Sequence, residues 1–489
     1  MRKITTILLA SGLLFGAIGC KKLIEIEETD LLGGEVALKT VSNIEQAVIG
    51  AYGGLSGTAL ANSHIEMGIL LNSSFSDELR TAGEFYNAAT THEWQYGSQD
   101  VGLRDNFTGI NPQYSLINRC NVILAAIDGA DSTRAGDETK RKLLRGEALF
   151  LRAFAHFELF RYYCGNYNPD ALGMVYMEIS TIEKFPRIKQ GPYFQKLLAD
   201  LTEAKTLLPN NLTDIGRATV VSASALHARI ALYMRDWATA EANATTFINA
   251  IPLATAAAFP GIWTDANTQE VGFILRRLPN VGMRIGSLFR ATSSISGGVL
   301  NIGPITWQPT DELYNSYDKV NDVRFASYIK DEPLLIAAGR TGRLVNKYAG
   351  GAYGTSTENL AHAKVFRTAE MYLIRAEARA EQNKFTGANS AESDINALRA
   401  ARITGYAPVT FASKDAAITA TLDERFKELA FEGHRFFDLK RRNLPVTRLA
   451  TDAPNAAAQN LAAGNFRFVL PIPQPQTQAN PLMEQNPGY

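Results

Sequence analysis

Residues 367–381 read RTAEMYLIRAEARAE, and residues 394–402 read DINALRAAR. In both segments apolar residues recur at the three- and four-residue spacing of one helical face. A turn at residues 383–387 separates them, and alanines lie where the two helices would cross. Because small side chains let helices approach closely, the stretch predicts a nested helix pair at residues 369–401.

A similar pattern lies upstream. Residues 225–234, ALHARIALYM, run through a tight turn into RDWATA at residues 235–240. Both pairs resemble tetratricopeptide repeats, in which alanines allow two helices to nest. We interpret the helical patterns at residues 140–163 and 193–208 as a third pair with a long insertion between its helices. Generic helical hairpins without repeat ancestry are the alternative interpretation.

Helical periodicity covers most of the chain, and two long irregular stretches at residues 72–112 and 251–316 interrupt it. The second is expected to hold short strands. Loops of this length inside a compact domain are usually functional. The predicted fold is mostly α: tetratricopeptide-like helix pairs forming an α–α superhelical scaffold, with long loop-rich insertions and short strands. The other predicted helix bounds are residues 43–52, 113–127, 218–234 and 237–248.

The N-terminal residues have the pattern of a cleaved lipoprotein signal. A positively charged start is followed by the apolar residues 7–18 and then by Gly19 and Cys20. The apolar run is well short of the ~20 residues that a membrane-spanning helix needs, so it predicts a signal peptide at residues 1–19. The end of this run resembles a bacterial lipobox, which makes Cys20 the predicted lipidation site; an ordinary secretory signal is the alternative. Residues 20–42 are then the lipidated cysteine and a flexible tether.

The composition is that of an ordinary globular protein, with 46% apolar and 20% charged residues in a chain of 489. The 49 basic and 49 acidic residues balance, which gives no support for nucleic acid as a partner. Cys120 and Cys164 lie in helical patterns beside apolar residues. We expect them to be buried free thiols rather than a disulfide.

The sequence carries no recognisable catalytic or metal-binding motif. Its six histidines include no His-Glu-x-x-His pattern, and no cysteine pair completes a zinc site. It contains neither a Gly-x-Ser-x-Gly nucleophile elbow nor a phosphate-binding Gly-x-x-x-x-Gly-Lys-Ser/Thr loop. We therefore expect no catalytic residue, no metal and no cofactor, which disfavours a hydrolase.

The densest charged cluster is DERFKELAFEGHRFFDLKRR at residues 423–442. Glu424, Glu428 and Glu432 could be catalytic acids on one helical face. Basic residues three or four positions from acidic ones instead indicate helix-surface ion pairs, in which the carboxylates have lowered pKa values. The cluster is therefore interpreted as structural. The expected pairs are Asp423–Lys427, Glu432–Arg435 and Asp438–Arg442.

Four blocks, in this order, carry a resemblance to a known family. They are the helix pair at residues 367–402, ERFKELAFEGHRFFDLKR at residues 424–441, FRFVLPIP at residues 466–473 and NPLMEQNPGY at residues 480–489. Together with Cys20, they make the chain similar to the SusD/RagB family of outer-membrane nutrient-binding lipoproteins.

The resemblance implies several properties of the chain. The fold would be a set of tetratricopeptide-like helix pairs with a loop-rich ligand-binding portion. Residues 43–330 would form an N-terminal helical repeat region with ligand-binding loops, and residues 331–489 a C-terminal region with a further helix pair. The protein would be lipid-anchored, exposed at the surface of the outer membrane. Its partner would be a SusC-type TonB-dependent outer-membrane transporter, over which it sits as a lid.

The resemblance also suggests where a ligand binds. By position, residues 72–106 are similar to the family's ligand loop and offer Asp77, Arg80, His92, Trp94 and Tyr96. Trp94 and Tyr96 would share one face of an extended chain and stack on a sugar, with Arg80 and Asp77 bonding its hydroxyls. The alternative for Trp94 is that it fills a gap in the scaffold. Trp263 and Trp307, which lie in loop-rich stretches, are second-tier ligand candidates.

The leading functional hypothesis is a non-enzymatic binder that captures an oligosaccharide or polysaccharide at the cell surface. A peptide-binding lipoprotein on the same scaffold is the first alternative. A tetratricopeptide-type protein–protein adaptor is the second, although an adaptor would need no aromatic loop platform. The identity, linkage and length of the ligand do not follow from the residues.

Overall fold

The computed structural model describes residues 37–56, 64–82, 89–100, 110–279 and 283–489. The predicted signal peptide, Cys20 and most of the predicted tether therefore lie outside the described residues. The described part of the chain is mainly helical, as predicted. None of its helices is long and apolar enough to cross a membrane.

The described helices are, in chain order, α1 (Val41–Gly53), α2 (Ile65–Phe75), α3 (Ala89–His92), α4 (Ile110–Ala126), α5 (Asp137–Tyr163), α6 (Gln190–Leu207), α7 (Val220–Met234), α8 (Trp237–Ala250), α9 (Phe259–Trp263), α10 (Asp311–Ser316), α11 (Val323–Tyr328), α12 (Pro333–Ala337), α13 (Thr368–Glu381), α14 (Ala391–Ala400), α15 (Lys414–Glu428), α16 (Arg435–Arg441) and α17 (Gln474–Ala479). The described strands are β1 (Leu79–Thr81), β2 (Val271–Leu275), β3 (Ser294–Ser296), β4 (Val299–Asn301), β5 (Trp307–Pro309), β6 (Ile329–Asp331), β7 (Arg343–Val345), β8 (Ala363–Arg367), β9 (Val446–Thr447) and β10 (Asn460–Leu461).

The three predicted helix pairs are confirmed. α5 packs on α6, α7 on α8, and α13 on α14, while α13 also contacts α8 and α15 and so joins the pairs into one scaffold. At the tight turn between α7 and α8, Arg235 adopts the left-handed conformation with a φ of 60°. The Asp236 side chain then accepts a hydrogen bond from the Thr239 N–H at 3.2 Å, which caps α8.

The strands form short antiparallel pairs that tie the irregular stretches to one another. In the β1–β5 pair, Leu79 lies opposite Pro309 and Thr81 opposite Trp307. The pairing brings the predicted ligand loop against the second irregular stretch. The loop itself begins later than expected, because residues 72–75 form the last turn of α2, and most of that helix is buried.

The acidic face of α15 is buried rather than exposed, so the predicted surface pairs are wrong. Glu424 and Glu428 are completely buried and contact arginines far away in the sequence. The acidic residue Glu432 binds Lys347 and Arg367 instead of Arg435. Asp438 likewise binds Arg425 and Arg441 instead of Arg442. The spacing rule assumes one continuous helix with its charged face in water. Here α15 ends at Glu428, and the carboxylates of Glu432 and Asp438 pack against other elements.

Cys120 and Cys164 are buried free thiols, as predicted. Burial raises the pKa of Cys120 to about 12 and that of Cys164 to about 11. Both are therefore protonated at neutral pH and behave as small apolar side chains in the core.

Candidate functional site

Asp77, predicted to bond a sugar hydroxyl, is committed to the fold. Its carboxylate accepts two hydrogen bonds from Arg435, at 2.8 Å from Nε and 2.7 Å from Nη2. The Asp77 backbone carbonyl also accepts a hydrogen bond from the Thr310 hydroxyl at 2.7 Å. With the residue only 4% exposed, this ion pair fastens the end of α2 to α16 and offers a ligand no free carboxylate oxygen.

Arg80, on β1, is the predicted residue that stays nearest to solvent, with a side chain 21% exposed. Its Nη1 lies 3.1 Å from Asp311 and 3.4 Å from Asp452. Asp311 also binds Arg343 at 2.6 Å. Although burial acts to raise it, the pKa of Asp311 lies below its usual range because of the hydrogen bond from Arg343 and the nearby charge of Arg80. The Arg80 guanidinium is therefore already neutralised by the protein.

Trp94 does not form an exposed platform, and this expectation is corrected. The residue is 3% exposed, and its indole N–H donates to the Phe75 carbonyl at 3.0 Å. The guanidinium of Arg448 lies 4.2 Å from the centre of its ring. A ring enclosed in this way has no face for a sugar, so the alternative interpretation, in which Trp94 fills the scaffold, fits the geometry.

Tyr96 is the middle ring of an aromatic stack that runs from the core to the surface. Its ring lies 5.3 Å from that of Phe75, at 15°, and 6.4 Å from that of Tyr489, at 18°. The Tyr96 hydroxyl donates to the carbonyl of Arg467. At 2% exposure, Tyr96 supports the outer ring instead of contacting a ligand itself, which corrects the expectation of a Trp94–Tyr96 face.

The two second-tier tryptophans are also buried. Trp307 is 2% exposed and meets the ring of His92 edge-on at 5.0 Å, which places it in the same wall as Trp94. Trp263 is 3% exposed and packs edge-on to Tyr328 at 5.3 Å, with Lys347 4.2 Å from its ring centre. The structure thus packs the predicted ligand-loop residues and Trp307 together as part of the scaffold. Trp263 has a different set of neighbours.

An open concavity of about 600 Å³ lies directly outside the aromatic stack. We call it the C-terminal shelf. Its lining residues are Tyr96, Gly97, Ser98, Gln99, Asp100, Phe466, Arg467, Gly488 and Tyr489.

Phe466 is the exposed aromatic side chain of the shelf, at 39% exposure. It meets the ring of Tyr489 edge-on at 5.0 Å, and the Arg467 guanidinium lies 5.0 Å from its centre. Gly488 has a φ of 97°, and a Cβ there would lie 2.5 Å from the Phe466 ring. A glycine is therefore required at this position for the aromatic ring to lie flat over the chain end.

Polar groups surround these rings. Arg467 Nη1 donates to the Tyr96 carbonyl at 2.8 Å, which orients the guanidinium, and Gln99 is exposed beside it. The Tyr489 hydroxyl donates to the Val469 carbonyl at 2.8 Å, and burial raises its pKa, so the ring stays neutral. Aromatic faces beside a guanidinium, an amide and the Asp100 carboxyl can hold a sugar by its apolar face and its hydroxyls. No group of three or more His, Cys, Asp and Glu side chains among the described residues could hold a metal ion.

Sequence reasoning missed the shelf because its two halves are about 370 residues apart. One half is the end of the predicted ligand loop. The other half lies in the FRFVLPIP and NPLMEQNPGY blocks, which carry the family resemblance and in which the sequence predicts no ligand contact. The signal that was available is an aromatic pair, Phe466 and Tyr489, in a C-terminal segment rich in proline.

Two family models match the chain. One, described as SusD family, matches residues 306–489, and the other, described as starch-binding associating with outer membrane, matches residues 36–232. The chain belongs to the SusD-like family. SusD-like proteins bind carbohydrate and do not catalyse a reaction, so this SusD-like chain is not an enzyme. The family description also places it at the outer membrane.

Relatives and solved structures agree with this assignment. SusD-like protein P2 of Formosa agariphila is 25% identical over 98% of this chain and 98% of its own length. A SusD superfamily protein from Bacteroides vulgatus has a TM-score of 0.79 and 25% identity, and covers 92% of this chain and 99% of its own. A laminarin binding SusD-like protein has a TM-score of 0.69 and 21% identity, over 92% of this chain and 100% of its own, and so shares the fold.

Proposed function

We propose that this SusD-like chain captures an oligosaccharide on the C-terminal shelf and delivers it to a SusC-type TonB-dependent outer-membrane transporter, acting as the transporter's lid. The observation that carries the binding part is the exposed ring of Phe466, held against Tyr489 and Arg467 at the mouth of an open concavity. Aromatic rings and arginines are enriched in the hot spots of binding sites.

The geometry favours a sugar over an apolar ligand. The shelf presents aromatic faces together with hydrogen-bonding groups from Ser98, Gln99, Asp100 and Arg467. A pyranose offers both an apolar face and a ring of hydroxyls, so it satisfies both kinds of group. A similar fold occurs in a protein that binds laminarin, which supports a neutral glucan as the first ligand class to test.

The shelf is built from both predicted regions of the chain. Tyr96 and its neighbours belong to residues 43–330, whereas Phe466 and Tyr489 belong to residues 331–489. The division into these two regions stays a prediction, but the hydrogen bond from Arg467 Nη1 to the Tyr96 carbonyl at 2.8 Å joins the two halves of the site.

Delivery requires the protein to stay at the membrane surface near its partner. Lipidation of Cys20 and the tether at residues 20–42 would provide this, since a multiply acylated cysteine anchors a protein stably. Tethering raises the effective concentration of the lid at the transporter mouth, so a modest direct affinity is sufficient. Metabolic labelling with a fatty-acid analogue should mark the wild type but not Cys20→Ala, and equal labelling of both would refute the anchor.

Two experiments test the ligand class and the partner. Titration of the wild-type protein with malto- and laminari-oligosaccharides and with neutral peptides should give saturable binding to an oligosaccharide. Binding to peptides alone would favour the first alternative function.

Gentle detergent extraction, crosslinking and pull-down through a tag on this chain should recover a barrel-sized transporter. Repeated recovery of the chain alone would favour a free-standing surface binder.

A further inference from the structure

A second concavity, separate from the shelf, lies between α4, residues 175–185 and the C-terminal segment. Its volume is about 500 Å³. We call it the amide groove, because side-chain amides are its commonest polar groups. Its polar lining residues are Asn111, Ser115, Asn118, Asn121, Thr181, Glu183, Gln476 and Asn480, and its other lining residues are Tyr114, Ile117, Val175, Met177, Ile179, Phe185 and Met483.

One wall of the amide groove is a polar stripe on α4. Asn111, Ser115 and Asn118 follow one another at intervals of four and three residues, which places them on one face of the helix. All three are exposed. The stripe is roughly 10 Å long, from seven residues at about 1.5 Å each. It therefore presents a row of hydrogen-bonding groups longer than a single small ligand needs.

The opposite wall comes from α17 and the residue that follows it. Gln476 Nε2 donates to Asn111 Oδ1 at 2.7 Å, and Asn480 Nδ2 donates to the Phe185 carbonyl at 2.9 Å. These bonds fix the two walls relative to each other.

The floor of the groove is apolar and rigid. The Tyr114 hydroxyl donates to the Val175 carbonyl at 2.9 Å, and the buried Asn121 side chain donates to the Met177 carbonyl at 3.0 Å. Asn121 Oδ1 in turn accepts from Arg152 at 2.8 Å. These hydrogen bonds tie the floor of the groove to α5 and to residues 175–177.

The chemistry of the lining selects the ligand class. Each amide both donates and accepts, and Glu183 is the single charged side chain among the lining residues. A charged ligand would find almost no opposite charge, and a wholly apolar one would leave the amides without partners. A neutral ligand rich in hydroxyl groups satisfies the polar stripe and rests its apolar face on the floor.

We propose that the amide groove is a second binding site, for a neutral oligosaccharide segment. The proposal rests on the proposed function for the class of ligand. The Gln474 N–H donates to the Ser98 carbonyl of the shelf at 3.0 Å, and Gln476, two residues further along α17, lines the groove. One short helix thus separates the two sites, and a long glycan chain can occupy both.

Affinity for oligosaccharides of increasing length tests this proposal. Short and long members of the malto- and laminari-oligosaccharide series are titrated against the full chain, Asn118→Ala and Gln476→Ala. Each variant should weaken binding of the long members by about three- to tenfold, the effect of one lost hydrogen bond, and leave the short members unchanged. Phe466→Ala should weaken binding of both. Asn210→Ala, which removes an exposed amide between α6 and α7, is the matched control and should change neither.

Three results would overturn the proposal. If both groove variants bound every oligosaccharide with wild-type affinity, the groove would not be a binding site. The proposal for the shelf would still stand. Absence of oligosaccharide binding to the wild type would refute the proposed function together with the groove. A neutral peptide whose affinity falls in Asn118→Ala, with all oligosaccharides unaffected, would show that the ligand class is wrong. Unchanged thermal unfolding of the variants shows that the effects are not due to misfolding.

Discussion

The buried acidic face of α15 and the C-terminal half of the shelf lie within the same matched segment, residues 306–489, but their side chains have opposite surroundings. Glu428 is fully buried and binds Arg402 at 3.1 Å, Arg367 at 3.1 Å and Arg324 at 3.2 Å. Phe466, on the shelf, is 39% exposed. The first region is therefore scaffold, whereas the second is the surface on which we propose that the ligand binds.

The difference follows from the cost of burying charge. Several carboxylates and guanidiniums share the interior beside α15, and each has partners that repay part of its desolvation. Such a cluster tolerates little change. The shelf has aromatic contacts and hydrogen bonds of its own, such as the one from Arg467 to the Tyr96 carbonyl, but no cluster of buried charges among its described lining residues.

The largest effect is expected from breaking the buried cluster. Glu428→Gln keeps the shape of the side chain but leaves three arginines short of a negative charge. We expect a loss of about 3–5 kcal/mol in the free energy of unfolding, measured by urea denaturation. Glu138→Gln, at an exposed pair with Arg141, is the control and should cost about 1 kcal/mol or less. Equal losses of stability in the two variants would show that the buried cluster beside α15 stabilises the fold no more than an exposed ion pair does.

Trp94 tests whether the predicted ligand loop is scaffold or site. Trp94→Ala should lower the free energy of unfolding by about 3–5 kcal/mol, because it empties a buried volume and removes the hydrogen bond to Phe75. Trp237→Ala, at a half-buried position that opens α8, should cost less. At a temperature where the variant is folded, its oligosaccharide affinity should match the wild type. Loss of oligosaccharide binding with unchanged stability would instead support the sequence-based prediction that Trp94 stacks on the ligand.

Acid should weaken the buried cluster beside α15. Burial raises the pKa of Glu424, but the charges of Arg324, Lys427 and Arg399 outweigh it and lower the pKa from 4.5 to about 2. A carboxyl with a lowered folded-state pKa stabilises the protein above pH 4.5, and this stability is lost as the pH falls towards 2. Urea midpoints measured across this window should fall less steeply for Glu424→Gln than for the wild type. If the urea midpoints of the two proteins fell equally with pH, the lowered pKa of Glu424 in the folded protein would be contradicted.

Glu78 should show the opposite pH dependence. Burial raises its pKa from 4.5 to about 8. The folded protein therefore binds a proton that the unfolded chain has released, and Glu78 makes stability fall as the pH rises from 4.5 to 8. Glu78→Gln should remove this slope and be more stable than the wild type above pH 8. A less stable variant at that pH would show that the charged form is favoured in the fold.

The sequence was sufficient for the helix pairs because their signals are local. The α7–α8 and α13–α14 pairs follow from apolar spacing and alanines within about thirty residues. It was not sufficient for the charges of α15, because Glu428 binds Arg324 and Arg367, whose positions depend on tertiary packing. The sequence identifies Trp94 and Tyr96 as aromatic residues. It carries no information on which face of the loop meets the core.

The most direct test of the account is the affinity of Phe466→Ala for the oligosaccharide that binds the wild type best, measured with its urea midpoint. We expect a loss of about 1–3 kcal/mol in binding and a loss of only about 1–2 kcal/mol in the free energy of unfolding, because the ring is 39% exposed. Leu449→Ala, which removes a side chain of 48% exposure outside the shelf, should alter neither quantity. Wild-type affinity in folded Phe466→Ala would contradict the account and place the ligand elsewhere on the protein.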